Sequence, residues 1–214
     1  VISEIELEHI RDDLICNSSI SNILIAGGGK ISGGSELIFL HAFDSKVNCV
    51  SVDINRKRNP DLIVDLMCCW PFQNEIFDLV ISTWVLEHVS NPENCFCEAK
   101  RVLSEKGAFV CAVPFIQRKH GSPHDYYRFT DTALSALAIC AGFKQVEIKP
   151  VGGGPFLCCL SLIWSLIRLP FLGFLFFLVS LALDELLVVV TYSLGKGYEL
   201  IRSYPINYIL IARK

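Results

Sequence analysis

The chain has no excess of positive charge: 19 lysines and arginines stand against 22 acids, giving a net charge of -3 and a pI near 6.0. A nucleic-acid surface needs a basic stripe, so nucleic acid is not an expected partner. Paired CxxC spacing is also missing, although there are ten cysteines. Cys95 and Cys97 are two apart, and Cys68-Cys69 and Cys158-Cys159 are adjacent, so the cysteines suggest no zinc site and no metal is expected. Cys49, Cys111 and Cys140 fall inside expected strands or helices, where a thiol serves as a small apolar group. That use points to a reducing compartment and away from a disulfide framework. Neither a secretory signal nor an initiating methionine opens the chain, as in a fragment or a trimmed chain. Charge is scarce locally too: from Phe156 to Leu183 only Arg168 carries any.

What is present is organised around Ser21 to Asp53, SNILIAGGGKISGGSELIFLHAFDSKVNCVSVD. The apolar run Ile23 to Ala26 is short and ends in glycine, which fits a buried parallel strand. Gly27, Gly28 and Gly29 make a turn whose backbone a ligand can approach closely. Ser32 to Ser35 then open a helix with free N–H groups. A second strand, Val47 to Val52, ends at Asp53, whose carboxylate can accept both hydroxyl hydrogens of a ribose. Before this unit, Ser3 to Cys16 reads as an amphipathic helix with Ser3 and Glu6 as a capping box.

The segments that follow continue the alternation of strand and helix. NRKRNP after Asp53 reads as a solvated surface connection. Strands are expected at Leu62 to Val64, Phe77 to Ser82, Ala108 to Val113, Lys144 to Pro150 and Tyr208 to Ala212. Helices are expected from Pro92 to Ser104 and from Thr130 or Asp131 to Cys140. Ser82, Thr83 and Trp84 lie at the carboxyl end of their strand, the edge where open α/β sheets bind ligands. Asp78, at the strand's start, is expected to be structural. At 214 residues this is one domain, 1-214, with a hydrophobic insert at 155-200 between its last two strands.

The motifs FDLV (Phe77 to Val80) and LEHV (Leu86 to Val89), with the glycine turn before them and Gly107 after them, resemble the class I S-adenosylmethionine-dependent methyltransferases. The resemblance is to the methyltransferase type 11-like group and runs from about Ile23 to Phe143, with a fitting last strand. It implies a Rossmann-like α/β fold with a seven-strand sheet, helices on both faces, and S-adenosyl-L-methionine as cofactor. Carried over by position, the cofactor-binding residues are Ala26, Gly27, Gly28, Gly29, Asp53, Ile54, Asp65, Leu66, Ser82 and Thr83, with Asp65 and Leu66 at the adenine edge. In LEHV, His88 is expected to be structural or hydrogen-bonding. The string PHDYYRFT resembles the family's substrate-side element. His124 is then the catalytic candidate, able to take a proton from the acceptor. His120, Tyr126, Tyr127 and Arg128 are candidates for binding the acceptor. The alternative for this loop is that Asp125 and Arg128 tie it down while the tyrosines pack.

Two features depart from the family pattern. Ile25 stands where an acid usually precedes the glycines, and Ile31 stands at the third glycine; this supports a second reading, a catalytically silent methyltransferase-like scaffold. A dehydrogenase using NAD would share the ribose acid but leaves FDLV and LEHV unexplained. The second departure is the apolar insert. Arg168-Leu169-Pro170 divides it into pieces of about 12 and 15 residues, each short of the roughly 20 that span a bilayer. Both ends must return to one sheet, which excludes a single crossing. The expected partner is therefore a membrane surface, met by a hairpin or kinked segment within one leaflet, with a homo-oligomer contact through Phe156 to Leu183 as the alternative. That implies a cytoplasmic, peripheral or monotopic protein acting on a small or lipid-linked acceptor.

Overall fold

The computed structural model describes residues 20–29, 47–121, 124–152, 154–164, 170–192 and 203–214. The expected helices at Ser3 to Cys16 and after Ser32 lie outside these residues. Seven strands form one sheet: β1 (Asn22–Ala26), β2 (Asn48–Asp53), β3 (Leu62–Ile63), β4 (Phe77–Thr83), β5 (Leu103–Pro114), β6 (Gln145–Val151) and β7 (Asn207–Arg213). Their order is β3-β2-β1-β4-β5-β7-β6. β7 is antiparallel to both of its neighbours, whereas the pairs among β1 to β5 are parallel. This is the expected Rossmann-like seven-strand sheet, with an apolar helix before its last strand.

Strand alternation sorts the core into two layers. Leu24, Val80, Phe109, Cys111 and Leu210 face one side, where they meet Phe96, Ala99 and Val102 of α1 (Pro92–Val102) and Leu134 and Ala138 of α2 (Asp131–Cys140). Ile23, Leu79, Ile81, Val110 and Ile209 face the other. Such runs are apolar at successive positions because both faces of these strands are covered. The buried thiols behave as fillers of this core: desolvation pushes Cys95 up to about 12 and Cys111 well above the ordinary thiol value. The nine described cysteines are all free.

Asp78 is a structural residue. Its Oδ2 accepts from the N–H groups of Ser21 and Asn22, both at 3.0 Å, and its Oδ1 accepts from the Ser104 hydroxyl at 3.2 Å. Glu98 of α1 likewise accepts from the Trp70 N–H at 2.6 Å and pairs with Arg101, fixing the segment before β4. Asn91 caps α1 and Thr130 caps α2 through their side-chain oxygens.

The insert between β6 and β7 forms α3 (Pro155–Ile163) and α4 (Pro170–Tyr192). α4 is longer than the piece expected after Pro170, because Asp184 and Glu185 do not end it. Asp184 is buried and turns its carboxylate onto the first turn of α3, accepting from Phe156 N–H at 3.1 Å and Leu157 N–H at 3.0 Å. One acid thus caps a neighbouring helix and joins the two into a hairpin. At 23 residues α4 is about 34 Å long, enough by length and composition to cross a bilayer. Phe171, Phe174, Leu186, Val189 and Tyr192 are all more than half exposed.

Candidate functional site

Sequential strands diverge between β1 and β4, so the chain leaves their carboxyl ends in opposite directions and opens a cleft there. The cleft has a volume of about 330 Å³. Gly27, Asp53, Ile54, Asp65 and Leu66 line it on the β1–β3 side, and Trp84, Val85, His88, Val89, His124 and Tyr126 on the other. Asn55, Arg58, Val64 and Met67 complete the wall.

Gly27 holds φ at +89°, and a Cβ there would lie 2.4 Å from Val85 Cγ1. Its N–H donates to the Val52 carbonyl at 2.8 Å, which pins the turn between β1 and β2. A Cβ on Gly29 would lie 2.2 Å from the Arg58 carbonyl oxygen, so this turn admits backbone against backbone and nothing larger. Asp53 is buried; Oδ1 accepts from Asn55 N–H at 2.7 Å, and Oδ2 faces Arg58 Nη1 at 3.4 Å. The same guanidinium donates to the Gly27 carbonyl at 3.2 Å. Asp65 Oδ1 accepts from Met67 N–H at 2.9 Å. The Leu66 carbonyl takes the Asn94 side-chain amide at 3.1 Å, so the wall at Asp65-Leu66 is fixed from behind by α1.

Ala26, Gly28, Ser82 and Thr83 are buried behind the cleft. At the end of β4 it is instead Trp84 and Val85 that reach the cavity, after a backbone turn in which Trp84 adopts φ +59°. A bulky residue in the left-handed region is uncommon and tends to mark a functional turn. Arg58 is a further residue of the cleft that its charge-rich sequence context hides. A run of charge suggests solvation, and Arg58 sits in a 3-10 turn, Arg56–Arg58, whose last residue is directed back at Asp53.

LEHV and the HDYYR segment (His124 to Arg128) form one unit. The Glu87 carbonyl accepts from Tyr126 N–H at 2.7 Å, His88 Nδ1 donates to the His124 carbonyl, and the Tyr127 hydroxyl donates to the Ser90 carbonyl at 3.0 Å. His124 and Tyr126 are thereby held on the cleft rim with ring centroids 5.4 Å apart. His120, Tyr127 and Arg128 do not line the cavity. Arg128 directs its donors inward, to both oxygens of Asp125 and to the carbonyls of Arg118, Tyr127 and Gln117. It therefore serves as the tie of the loop.

The Arg128 guanidinium holds the Asp125 carboxyl well below the usual carboxylate range, helped by the bond from His120 N–H. Because the folded value is depressed, this contribution is complete above the unfolded value of about 3.9 and is lost as pH falls through the lowered one. Asp125→Asn is expected to speed amide exchange from Arg118 to Arg128 by about tenfold at pH 7 while leaving α1 unaffected. Unchanged exchange would show that the pair does not order the loop.

A family model described as Methyltransferase domain matches residues 31–111. A search of curated protein sequences returns no match. Among solved structures, an S-adenosylmethionine-dependent methyltransferase from Archaeoglobus fulgidus aligns with TM-score 0.60 at 14% identity, covering 97% of this chain and 94% of that one. The 1,6-didemethyltoxoflavin-N1-methyltransferase of Burkholderia thailandensis, solved with bound 1,6-didemethyltoxoflavin and S-adenosylhomocysteine, aligns at 0.56 with 14% identity, covering 99% of this chain and 77% of that one. The [4+2]-cyclase SpnF aligns at 0.61 with 17% identity, covering 98% and 80%. At such identities these likenesses concern the fold.

Proposed function

We propose that the chain is a class I S-adenosylmethionine-dependent methyltransferase that methylates a small or lipid-linked acceptor at a membrane surface on the cytoplasmic side. The observation that carries this reading is the single cleft in which Gly27, Asp53 and Asp65 meet the rim residues His124 and Tyr126. The residues fit the cofactor: the Gly27 turn is a cradle that any side chain would fill, and Asp53 is a buried carboxylate at the end of β2. Asp53 would hold the ribose hydroxyls, and Asp65 with the Leu66 backbone the adenine edge.

When bound, S-adenosylmethionine supplies a methyl group on a positively charged sulfur, already activated for in-line transfer. The chain's own residues then have mainly to align and to exclude water. Trp84, Val85 and Val89 give the cavity an apolar wall. His124 can take a proton from an acceptor oxygen or nitrogen, and Tyr126 beside it shapes the entry.

The α3–α4 hairpin supports the membrane part of this reading. Its exposed aromatic and aliphatic side chains would be costly in water, and both of its ends return to the same sheet. Incubation with methyl-labelled S-adenosylmethionine and liposomes of a membrane lipid extract is expected to place label in the organic phase. Phe174→Glu with Val189→Glu, both at exposed positions of α4, should leave cofactor affinity unchanged and reduce sedimentation with liposomes about tenfold or more. Equal sedimentation of the variant, or none of the parent, would contradict it.

A specific observation favours a second reading, the silent scaffold: Arg58 already engages Asp53 and the Gly27 carbonyl. A folded chain that binds neither S-adenosylmethionine nor S-adenosylhomocysteine would establish that reading.

A further inference from the structure

Glu87 is fully buried, and neither oxygen of its carboxylate has a hydrogen-bond partner. Leaving a desolvated carboxylate unpartnered is expensive, so such a group calls for a cation. Two imidazoles face it: His88 Nε2 is 3.7 Å and His120 Nε2 3.6 Å from Glu87 Oε1. The three ligand atoms lie within 4.8 Å of one another. Two metal–ligand bonds of about 2.1 Å span the 3.6 and 3.7 Å separations at an angle of about 120°, an ordinary value for a divalent ion.

The orientation of both rings agrees. His88 Nδ1 donates to the His124 carbonyl, so in the neutral ring the lone pair is on Nε2, toward Glu87. His120 Nδ1 lies 3.4 Å from both the Arg118 carbonyl and Arg128 Nη2. The two hydrogens of that Nη2 are directed to Asp125 Oδ2 at 2.8 Å and the Arg118 carbonyl at 3.1 Å. The neutral tautomer that fits these partners has its proton on His120 Nδ1, donating to the Arg118 carbonyl, and its lone pair on Nε2. Carbonyl partners on the far nitrogen are what metal-binding histidines use to fix tautomer and ring plane. Asp125 neutralises Arg128, so the cation nearest the cluster is already paired.

We propose that Glu87, His88 and His120 form a binding site for a divalent transition-metal ion of the zinc type, with two imidazoles and one carboxylate as ligands and the remaining positions open. Cysteine spacing contains no hint of it, because the ligands are a carboxylate and two imidazoles brought together from two separate motifs. His88 also lines the cleft, so the ion would stand beside it, where an open position can take an oxygen or nitrogen of an incoming acceptor. That last role rests on the methyl-transfer reading; the ion site does not.

The test is titration of the full metal-free chain with Zn²⁺ by calorimetry and with Co²⁺ by absorption, without S-adenosylmethionine and after alkylation of exposed thiols. One ion per chain is expected, with no thiolate-to-cobalt charge-transfer band. Loss of an outer partner weakens metal sites 10- to 100-fold, so His120→Ala and Glu87→Gln, which remove ligands, should each weaken binding by at least about 100-fold. His124→Ala, which keeps the backbone carbonyl, should bind normally. His120 is partly exposed, so its variant decides the matter even where Glu87→Gln fails to fold. Absence of stoichiometric binding in the folded chain, a thiolate band, or equal affinity in His120→Ala would overturn the proposal.

Discussion

Asp53→Ala is expected to lower affinity for S-adenosylmethionine by about 100-fold or more, with the fold retained. Each hydrogen bond from a ribose hydroxyl to a carboxylate contributes about 1.5–3 kcal/mol, and two are lost, which is at least two decades in Kd. The effect is expected to be large because Asp53 is buried at the end of β2, where water cannot replace it well. The fold should survive, since the partners of the carboxylate, Asn55 N–H and the half-exposed Arg58, can both turn to solvent. Arg58→Ala provides the counterpart. It frees Oδ2 and the Gly27 carbonyl, so binding should not weaken. Calorimetry on the two variants separates the roles; unchanged affinity in Asp53→Ala would mean that the ribose does not sit at β2.

The second large effect is expected at Gly27→Ala. A left-handed φ of +89° strains any residue with a Cβ, at about 1–2 kcal/mol. The added carbon would also meet Val85 Cγ1 at 2.4 Å and Cγ2 at 2.5 Å, and overpacking of that kind costs about 1–3 kcal/mol. Val85 is itself part of the cleft wall, so relief by moving it deforms the site. A loss of about 2–5 kcal/mol in urea unfolding is expected, together with weakened cofactor binding. A variant as stable as the parent would show that the turn has room that the geometry denies.

The sheet was legible in the sequence because strands buried on both faces leave continuous apolar runs, and each of β1, β4 and β7 carries such a run. Even so, β5 begins at Leu103, five residues before the expected Ala108, since Leu103 pairs with Phe77 across a register shift that only the neighbouring strand determines. The length of α4 was hidden for a related reason. Asp184 and Glu185 look like the end of an apolar helix, yet Asp184 is used up in capping α3. In the cleft, Gly27, Asp53, Ile54, Asp65 and Leu66 could be placed because a strand's carboxyl end fixes them within a residue or two. The same rule places Ser82, Thr83 and Trp84 at the end of β4; of these the left-handed Trp84 lines the cleft, together with Val85 beyond it. Arg58 and the Glu87, His88 and His120 cluster were not legible. Their roles depend on side-chain direction across loops, which neither periodicity nor spacing encodes.

The central claim is that the cleft at the ends of β1, β2 and β4 binds S-adenosylmethionine, and calorimetric titration of the purified chain with S-adenosylmethionine and S-adenosylhomocysteine, with NADH as control, tests it most directly. Binding of the first two at one site per chain, and none of NADH, is the predicted result. No binding of either by a chain shown to be folded, or binding of NADH instead, would contradict it.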